Sequence, residues 1–332
     1  VSPGLRLKLP ATSANLGPGF DTLALALALY LDIEAHPSSG AGFSIHATGR
    51  NAEICSRVDG NLLLSVYRQT VRTHSGRQAP PLTLTMHNGI PLGMGCGSSA
   101  ASRLAGVALA NHFGDLGWAP NRILDEASQL EGHPDNAAAC WMGGFVASAS
   151  GDQAAAQPGL TSTPAPPIAA LSIAPPVAWH AMVVLPRLPL ATTESRAILP
   201  HSYSRHDIVV NLQRVALLTA AFAAGRGDLL AAATRDSMHQ PYRGTVCPLL
   251  PALLPLSGHD GVLSVTLSGA GPSVLLLLEC QARAPKVEQL VRTSAAAAGT
   301  PIEEILCCAL GESAASSLVS KKATGGCLQL SC

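Results

Sequence analysis

Apolar residues cluster in short blocks along this chain, and glycine, proline and polar clusters separate them. Strand-like blocks at Gly4–Leu9, Ile33–Ala35 and Leu82–Met86 frame the first third. A glycine-rich stretch follows Pro91, and a small-residue helix is predicted from about Ser98 to His112. A second helix is predicted over Asn121–Glu131, with Pro120 before it and Asn121 as its cap. Gly143–Ala149 reads as a buried strand. Residues 150–167 (SGDQAAAQPGLTSTPAPP) are nearly uncharged and Ala/Pro/Gly-rich, which predicts a surface linker. Beyond it the pattern predicts strands at Trp179–Leu185, Gly261–Thr266 and Ser273–Leu278. It predicts helices over His206–Ala224, Asp228–Met238 and Pro285–Ala297. Strands and helices mix without a regular βαβ beat, so the expected class is α+β in two lobes. From about Ser313 to Cys332 little pattern remains, and this stretch reads as a tail.

Composition narrows the function classes. The 332 residues are 47% apolar and 13% charged, ample for a large core. Lys+Arg and Asp+Glu both number 21, so no basic patch for nucleic acid and no acidic tail is expected. The run Leu23–Leu31 stops at Asp32, too short to cross a bilayer, and no signal segment is expected from the pattern of the first residues. Nine cysteines without a C-x-x-C pair fit reduced thiols better than zinc or a disulfide framework. The expectation is a soluble, cytoplasmic protein with no membrane partner.

Candidate chemistry centres on Pro91-Leu-Gly-Met-Gly-Cys-Gly-Ser-Ser-Ala-Ala-Ser102. Alternate glycines before a helix that begins with serines leave backbone N–H groups unpaired, backed by the positive end of the helix dipole. That is a phosphate site in waiting, and Ser98 and Ser99 add hydroxyls for phosphate or magnesium. Alone, a serine-capped glycine turn without a ligand is an equally good reading. A Walker A loop is excluded, because no lysine lies between Lys8 and Lys286. A protein kinase needs a strand lysine in the same region and is excluded with it. Gly95–Ala100 fits a loose dinucleotide fingerprint, but the following helix leads to another helix and not to a strand.

Three further constellations carry polar groups on tight turns. Pro10–Asp21 (PATSANLGPGFD) presents Asn15 and Asp21, which suits either a substrate grip or a local Asx turn. Leu267–Ser273 (LSGAGPS) is a second glycine turn with hydroxyls at both ends. In Glu131–Asn136 (EGHPDN), Glu131 ends a helix, where a carboxylate opposes the dipole and so suits a magnesium ligand better than a stabilising role.

Three such glycine segments in this order, without a P-loop lysine, resemble the GHMP kinases, in the form found in homoserine kinases. TTESRAILP at Thr192–Pro200 and HQPYR at His239–Arg243 extend the likeness, which runs from about Leu5 to Ser273. The resemblance implies a two-lobed GHMP kinase fold, with a ribosomal S5 domain 2-like N-terminal lobe over 1–165 and a ferredoxin-like C-terminal lobe over 166–312. It implies ATP and Mg2+, with L-homoserine as the small-molecule substrate, in threonine biosynthesis. Asn61, Pro91, Gly93, Gly95, Gly97, Ser98, Ser99 and Ala100 are then expected at ATP, and Ser98, Ser99 and Glu131 at the metal. Asn15, Asp21, Asn136, Thr192, Arg196 and Arg243 are expected at the amino acid. Within that set Asp21 faces its ammonium, the two arginines its carboxylate, and Asn136 the reacting hydroxyl. Members are often dimers, so a homodimer is implied. Met94 and Cys96 depart from the usual phosphate loop, and Cys96 brings an expectation of thiol-reagent sensitivity.

Phosphoryl transfer needs positioning and charge stabilisation more than covalent help. Glu131, Asn136 and Arg196 are the expected catalytic set. Asp135 and Asp21 both stay open as the base, and the resemblance equally implies a transfer without a dedicated base. Other readings are a mevalonate or sugar kinase of the same type, a dinucleotide oxidoreductase, and a non-catalytic sensor on the same scaffold.

Overall fold

The computed structural model describes residues 3–40, 42–151, 167–188, 190, 192–319 and 327–328. The first half runs β1 (Gly4–Asn15), β2 (Gly19–Pro37), β3 (Ser44–Gly49), α1 (Ala52–Cys55), α2 (Leu62–Ser75), β4 (Leu82–Asn88) and α3 (Ser98–Phe113). It continues through α4 (Pro120–Glu131), α5 (Asp135–Met142), β5 (Phe145–Ala149) and β6 (Ala169–Ile173). Then come β7 (His180–Pro186), α6 (Thr192–Ala197), α7 (Arg205–Ala223), α8 (Leu230–Ala233), α9 (Gln240–Arg243) and α10 (Leu249–Leu253). The last elements are β8 (Val262–Leu267), β9 (Val274–Leu278), α11 (Ala284–Ala297), β10 (Ile302–Ala309), β11 (Ala315–Val319) and β12 (Cys327–Leu328).

Two sheets organise these elements. One has eight strands on the path β12-β11-β1-β2-β4-β3, with β5 pairing β2 and β6 pairing β5. The other is the antiparallel order β10-β7-β9-β8. The apolar run inside β2 is thus a central strand, and its residues Leu23 to Leu27 are buried. The four-stranded sheet is covered on both faces. Ala181, Val183, Leu275 and Leu277 join the core shared with the larger sheet. Met182, Val184, Leu276 and Leu278 alternate with them and pack with Leu250 and Leu253 of α10 and Val287 and Val291 of α11. Continuous apolar runs such as Val274–Leu278 follow from burial on both sides.

Several expected boundaries move. Asn121 is not the cap of α4: Pro120 takes the first helical position, where its missing N–H costs nothing, and Ala119 precedes it. The expected helix over Asp228–Met238 breaks after Ala233. Asp236 breaks it by accepting from the backbone N–H groups of Met238, His239 and Gln240 at 2.6–2.9 Å, which starts α9 instead. Residues 313–332 read as a tail in the sequence, yet β11 pairs with β1 from Gly4↔Val319 to Lys8↔Ala315. The larger sheet also extends past residue 165, since β6 pairs with β5. Most of the expected linker, residues 152–166, lies outside the described residues. No helix among those residues is long and apolar enough to cross a membrane.

Candidate active site

The three glycine segments meet. The turn after β1, the loop before α3 and the turn between β8 and β9 come together through backbone and hydroxyl contacts. Thr12 N donates to the Cys96 carbonyl at 3.1 Å, and Gly269 N donates to the Ala14 carbonyl at 3.1 Å. Ser268 Oγ lies 2.8 Å from both Ser13 Oγ and the Gly95 carbonyl. Gly93, Gly95 and Gly97 all have positive φ, between 69° and 75°. A Cβ on Gly95 would lie 2.2 Å from the Ser268 carbonyl oxygen, which is backbone and cannot swing away. Gly95→Ala is therefore expected to cost roughly 2–4 kcal/mol of stability and to raise the KM for ATP. Thermal melts paired with ATP titrations measure both.

Helix α3 starts at Ser98 without a side-chain cap, so its first N–H groups open toward the cavities beside it. Two cavities adjoin there. The larger, about 530 Å³, has apolar walls including Leu31, Ile54, Leu62, Met86 and Ile90. The smaller, about 130 Å³, is polar and holds Asn15, Asp21, Glu131, Asp135, Asn136, Arg196 and Arg243. Gly93, Ser98 and Ser99 line both. Asn61 lines the larger cavity, but its amide is engaged in the fold: it accepts from Leu64 N at the start of α2 and donates to the Cys55 carbonyl. Pro91 and Ala100 are buried and line neither cavity, so their part is to shape the loop.

At the start of α3, Ser99 Oγ donates to Glu131 Oε2 at 3.2 Å. Arg103, one turn along α3 from Ser99, contacts both groups through Nη1. Hydroxyl and carboxylate oxygens side by side at a helix N-terminus suit a hard divalent cation among phosphates. Sequence reasoning passed over Arg103, although its spacing of four from Ser99 on a helix places both on one face.

Glycine and proline turn the chain between α4 and α5, and this brings His133, Asp135 and Asn136 to the cavity wall. Thr12 Oγ1 donates to Asn136 Oδ1 at 2.6 Å, which fixes the amide with its NH₂ group free to donate. Asp135 Oδ1 accepts from Asn136 N at 2.7 Å and from His133 Nδ1 at 2.5 Å. Burial works against a charged His133. Even so, the Asp135 hydrogen bond and the Asp135, Asp21 and Glu131 carboxylates outweigh it and hold its pKa above the ordinary value. Asp135 Oδ2 is buried and has no hydrogen-bond partner among the described residues.

In the turn after β1, Asn15 and Asp21 both adopt positive φ, 70° and 54°. Asn15 Oδ1 accepts from Asp21 N at 3.0 Å, and its Nδ2 donates to the Gly269 carbonyl at 2.9 Å. The Asx-turn reading and the site reading of this segment thus coexist. Asp21 is paired directly with Arg196, which donates through both terminal nitrogens at 2.6 and 3.0 Å. The two were expected on opposite ends of a ligand, and the structure instead pairs them with each other. Arg243 is buried, and burial together with the charge of Arg196 lowers its pKa to about 10, so it stays cationic at neutral pH. Thr192 opens α6, the helix that carries Arg196, and its side chain lies outside the described residues.

Cys96 overturns the expected thiol sensitivity. Its side chain is buried, and burial pushes the pKa up to about 12. The thiolate that a reagent would attack is scarce at neutral pH. Iodoacetamide on the native protein is expected to modify exposed Cys307 well before Cys96, as peptide mass spectrometry would read.

Residues 61–144 match the GHMP kinases N terminal domain, and residues 218–295 match the GHMP kinases C terminal domain. The chain is 44% identical over 296 residues to a homoserine kinase from Solibacter usitatus, covering 89% of this chain and 92% of that one. It is 38% identical to a homoserine kinase from Moorella thermoacetica, covering 85% and 89%. A crystal structure of homoserine kinase from Cytophaga hutchinsonii superposes with a TM-score of 0.75 at 22% identity, covering 95% of this chain and 98% of that one. The fold and the glycine loop are those of a GHMP kinase. Within that class, the chain belongs to the homoserine kinase family.

Proposed function

We propose that this chain transfers the γ-phosphoryl group of ATP to the side-chain hydroxyl of L-homoserine, giving O-phospho-L-homoserine. One observation carries the reading: a single cavity of about 130 Å³ is lined by Asp21, Arg196 and Arg243, the proposed amino-acid end, together with the first residues of α3. A free amino acid has an ammonium and a carboxylate, and those three side chains match both charges. Mevalonate and sugars lack the ammonium and would leave Asp21 with only Arg196.

The larger, apolar-walled cavity accommodates a nucleoside, and its shared rim at Gly93, Ser98 and Ser99 leads the phosphates to the helix N-terminus. Ser98, Ser99 and Glu131 form a donor set that suits Mg2+, which when bound neutralises charge on the β- and γ-phosphates. Asn136, oriented by Thr12, donates to the oxygen that becomes the nucleophile. Of the two carboxylates open as proton acceptor, Asp21 is tied to Arg196, and Asp135 is tied to His133 and Asn136 N with its other oxygen sealed from the cavity, so the reading assigns neither as the base. A coupled ADP-release assay comparing L-homoserine, L-serine, L-threonine, mevalonate and galactose tests the substrate. Turnover confined to L-homoserine supports the reading, and turnover of mevalonate or galactose instead overturns it.

A further inference from the structure

His239 stands behind the amino-acid end of the cavity, fully buried and outside its lining. Both ring nitrogens are engaged. Nε2 lies 2.7 Å from the Gly17 carbonyl oxygen, and Nδ1 lies 3.2 Å from Arg243 Nη1. A carbonyl can only accept a hydrogen bond and a guanidinium can only donate one. The imidazole is therefore neutral, with its proton on Nε2, giving to Gly17 and receiving from Arg243. Burial above all favours that neutral form, and the charge of Arg243 adds to it against the Asp236 carboxylate.

The same contact disciplines Arg243. Its Nε donates to the Ser195 carbonyl at 3.2 Å, and its Nη1 reaches His239 and the Gly269 carbonyl at 3.3 Å. A planar guanidinium held on two edges cannot rotate, and Nη2 is left without a protein partner among the described residues. The Phe20 ring lies 5.3 Å from the guanidinium carbons of both Arg243 and Arg196, and 5.4 Å from the His239 ring. On its other side His239 holds Gly17, in the turn that runs from Asn15 to Asp21, and Asn211 Nδ2 donates to the Pro18 carbonyl beside it at 2.7 Å.

We propose that His239 is a positioning residue for substrate recognition: its Nδ1 lone pair orients the Arg243 fork, and its Nε2–H ties that fork to the turn carrying Asp21. The groups that meet the two charged ends of the amino acid are thereby held at one spacing. The proposal deepens the homoserine reading and rests on it.

Two isosteres separate the two bonds. In His239→Asn the amide oxygen occupies the place of Nδ1 and still accepts from Arg243, but nothing reaches Gly17. In His239→Gln the amide nitrogen reaches toward Gly17, and the acceptor for Arg243 is lost. His239→Gln is expected to raise the KM for L-homoserine about tenfold, the effect of one charge-assisted hydrogen bond. The KM for ATP is expected to stay within about twofold, because only the amino-acid end is touched. His239→Asn is expected to hold the KM for L-homoserine within about threefold while its melting temperature falls. Equal rises in both variants, or a rise in the KM for ATP as large as that for L-homoserine, would overturn the proposal. If His239→Gln does not fold, a tenfold rise in His239→Asn alone overturns it. An inactive wild type with L-homoserine is a separate outcome, which strikes the substrate reading and not the role of His239.

Discussion

Glu131→Gln lowers kcat by about two to three orders of magnitude, the scale of losing one preorganised charge-stabilising group at a phosphoryl or oxyanion site. The variant keeps the shape of the side chain and an acceptor for Ser99 Oγ, and it removes the negative charge alone. A second cost falls on Arg103, whose guanidinium loses its carboxylate partner. The two roles of Glu131 separate in the magnesium titration. A magnesium ligand requires that half-maximal activity shift to higher magnesium in Glu131→Gln while the KM for L-homoserine changes little. If Glu131 served only as the partner of Arg103, the melting temperature would fall and the magnesium dependence would not move.

Arg243→Met gives the second large effect. Removing one partner of a buried, hydrogen-bonded charged contact costs about 2–5 kcal/mol, so the KM for L-homoserine rises at least about thirtyfold. Methionine fills a similar volume but leaves His239 Nδ1 and the Ser195 and Gly269 carbonyls without their donor. A stability loss of about 1–3 kcal/mol accompanies the kinetic change. Arg243→Lys is expected to recover little, because an ammonium cannot match the three fixed acceptors and still present a fork to a carboxylate. Initial-rate kinetics in both substrates check this, and a KM for ATP that rises as far as that for L-homoserine would contradict it.

The glycine segments were legible because their geometry demands a particular residue. Positive φ at Gly93, Gly95 and Gly97 and close backbone approach at Gly95 leave little choice of side chain, so the sequence advertises the loop. Strands β7, β8 and β9 of the smaller sheet were legible for a similar reason, since burial on both faces forces apolar runs, whereas β10, with Glu303 and Glu304 and no fully buried residue, carries no such signal. Helix α2 was missed even though Leu63, Leu64, Tyr67 and Val71 repeat at helical spacing and Asn61 caps it. The short strand Ser44–Gly49, with mostly exposed residues, carries no comparable signal.

Pairings across the chain were not legible. Arg196 and Asp21 are separated by 175 residues, and each was assigned to a ligand because no local pattern reveals that they meet. Cys96 misled for a related reason: a glycine loop reads as exposed, whereas packing against β1 and the β8–β9 turn buries this thiol. Asp236 looked like a helical residue until its carboxylate was seen to collect three backbone N–H groups.

The most direct measurement is ADP release with Mg-ATP and L-homoserine set beside two half-substrates, with the products read by phosphorus NMR. 4-Hydroxybutyrate keeps the hydroxyl and carboxylate without the ammonium, and 3-aminopropan-1-ol keeps the hydroxyl and ammonium without the carboxylate. The arrangement of Asp21, Arg196 and Arg243 predicts O-phospho-L-homoserine from the full substrate and kcat/KM at least about tenfold lower for each half-substrate, one charge-assisted contact being lost in each. Comparable kcat/KM for either half-substrate, or phosphate appearing on mevalonate or galactose and not on L-homoserine, would contradict it.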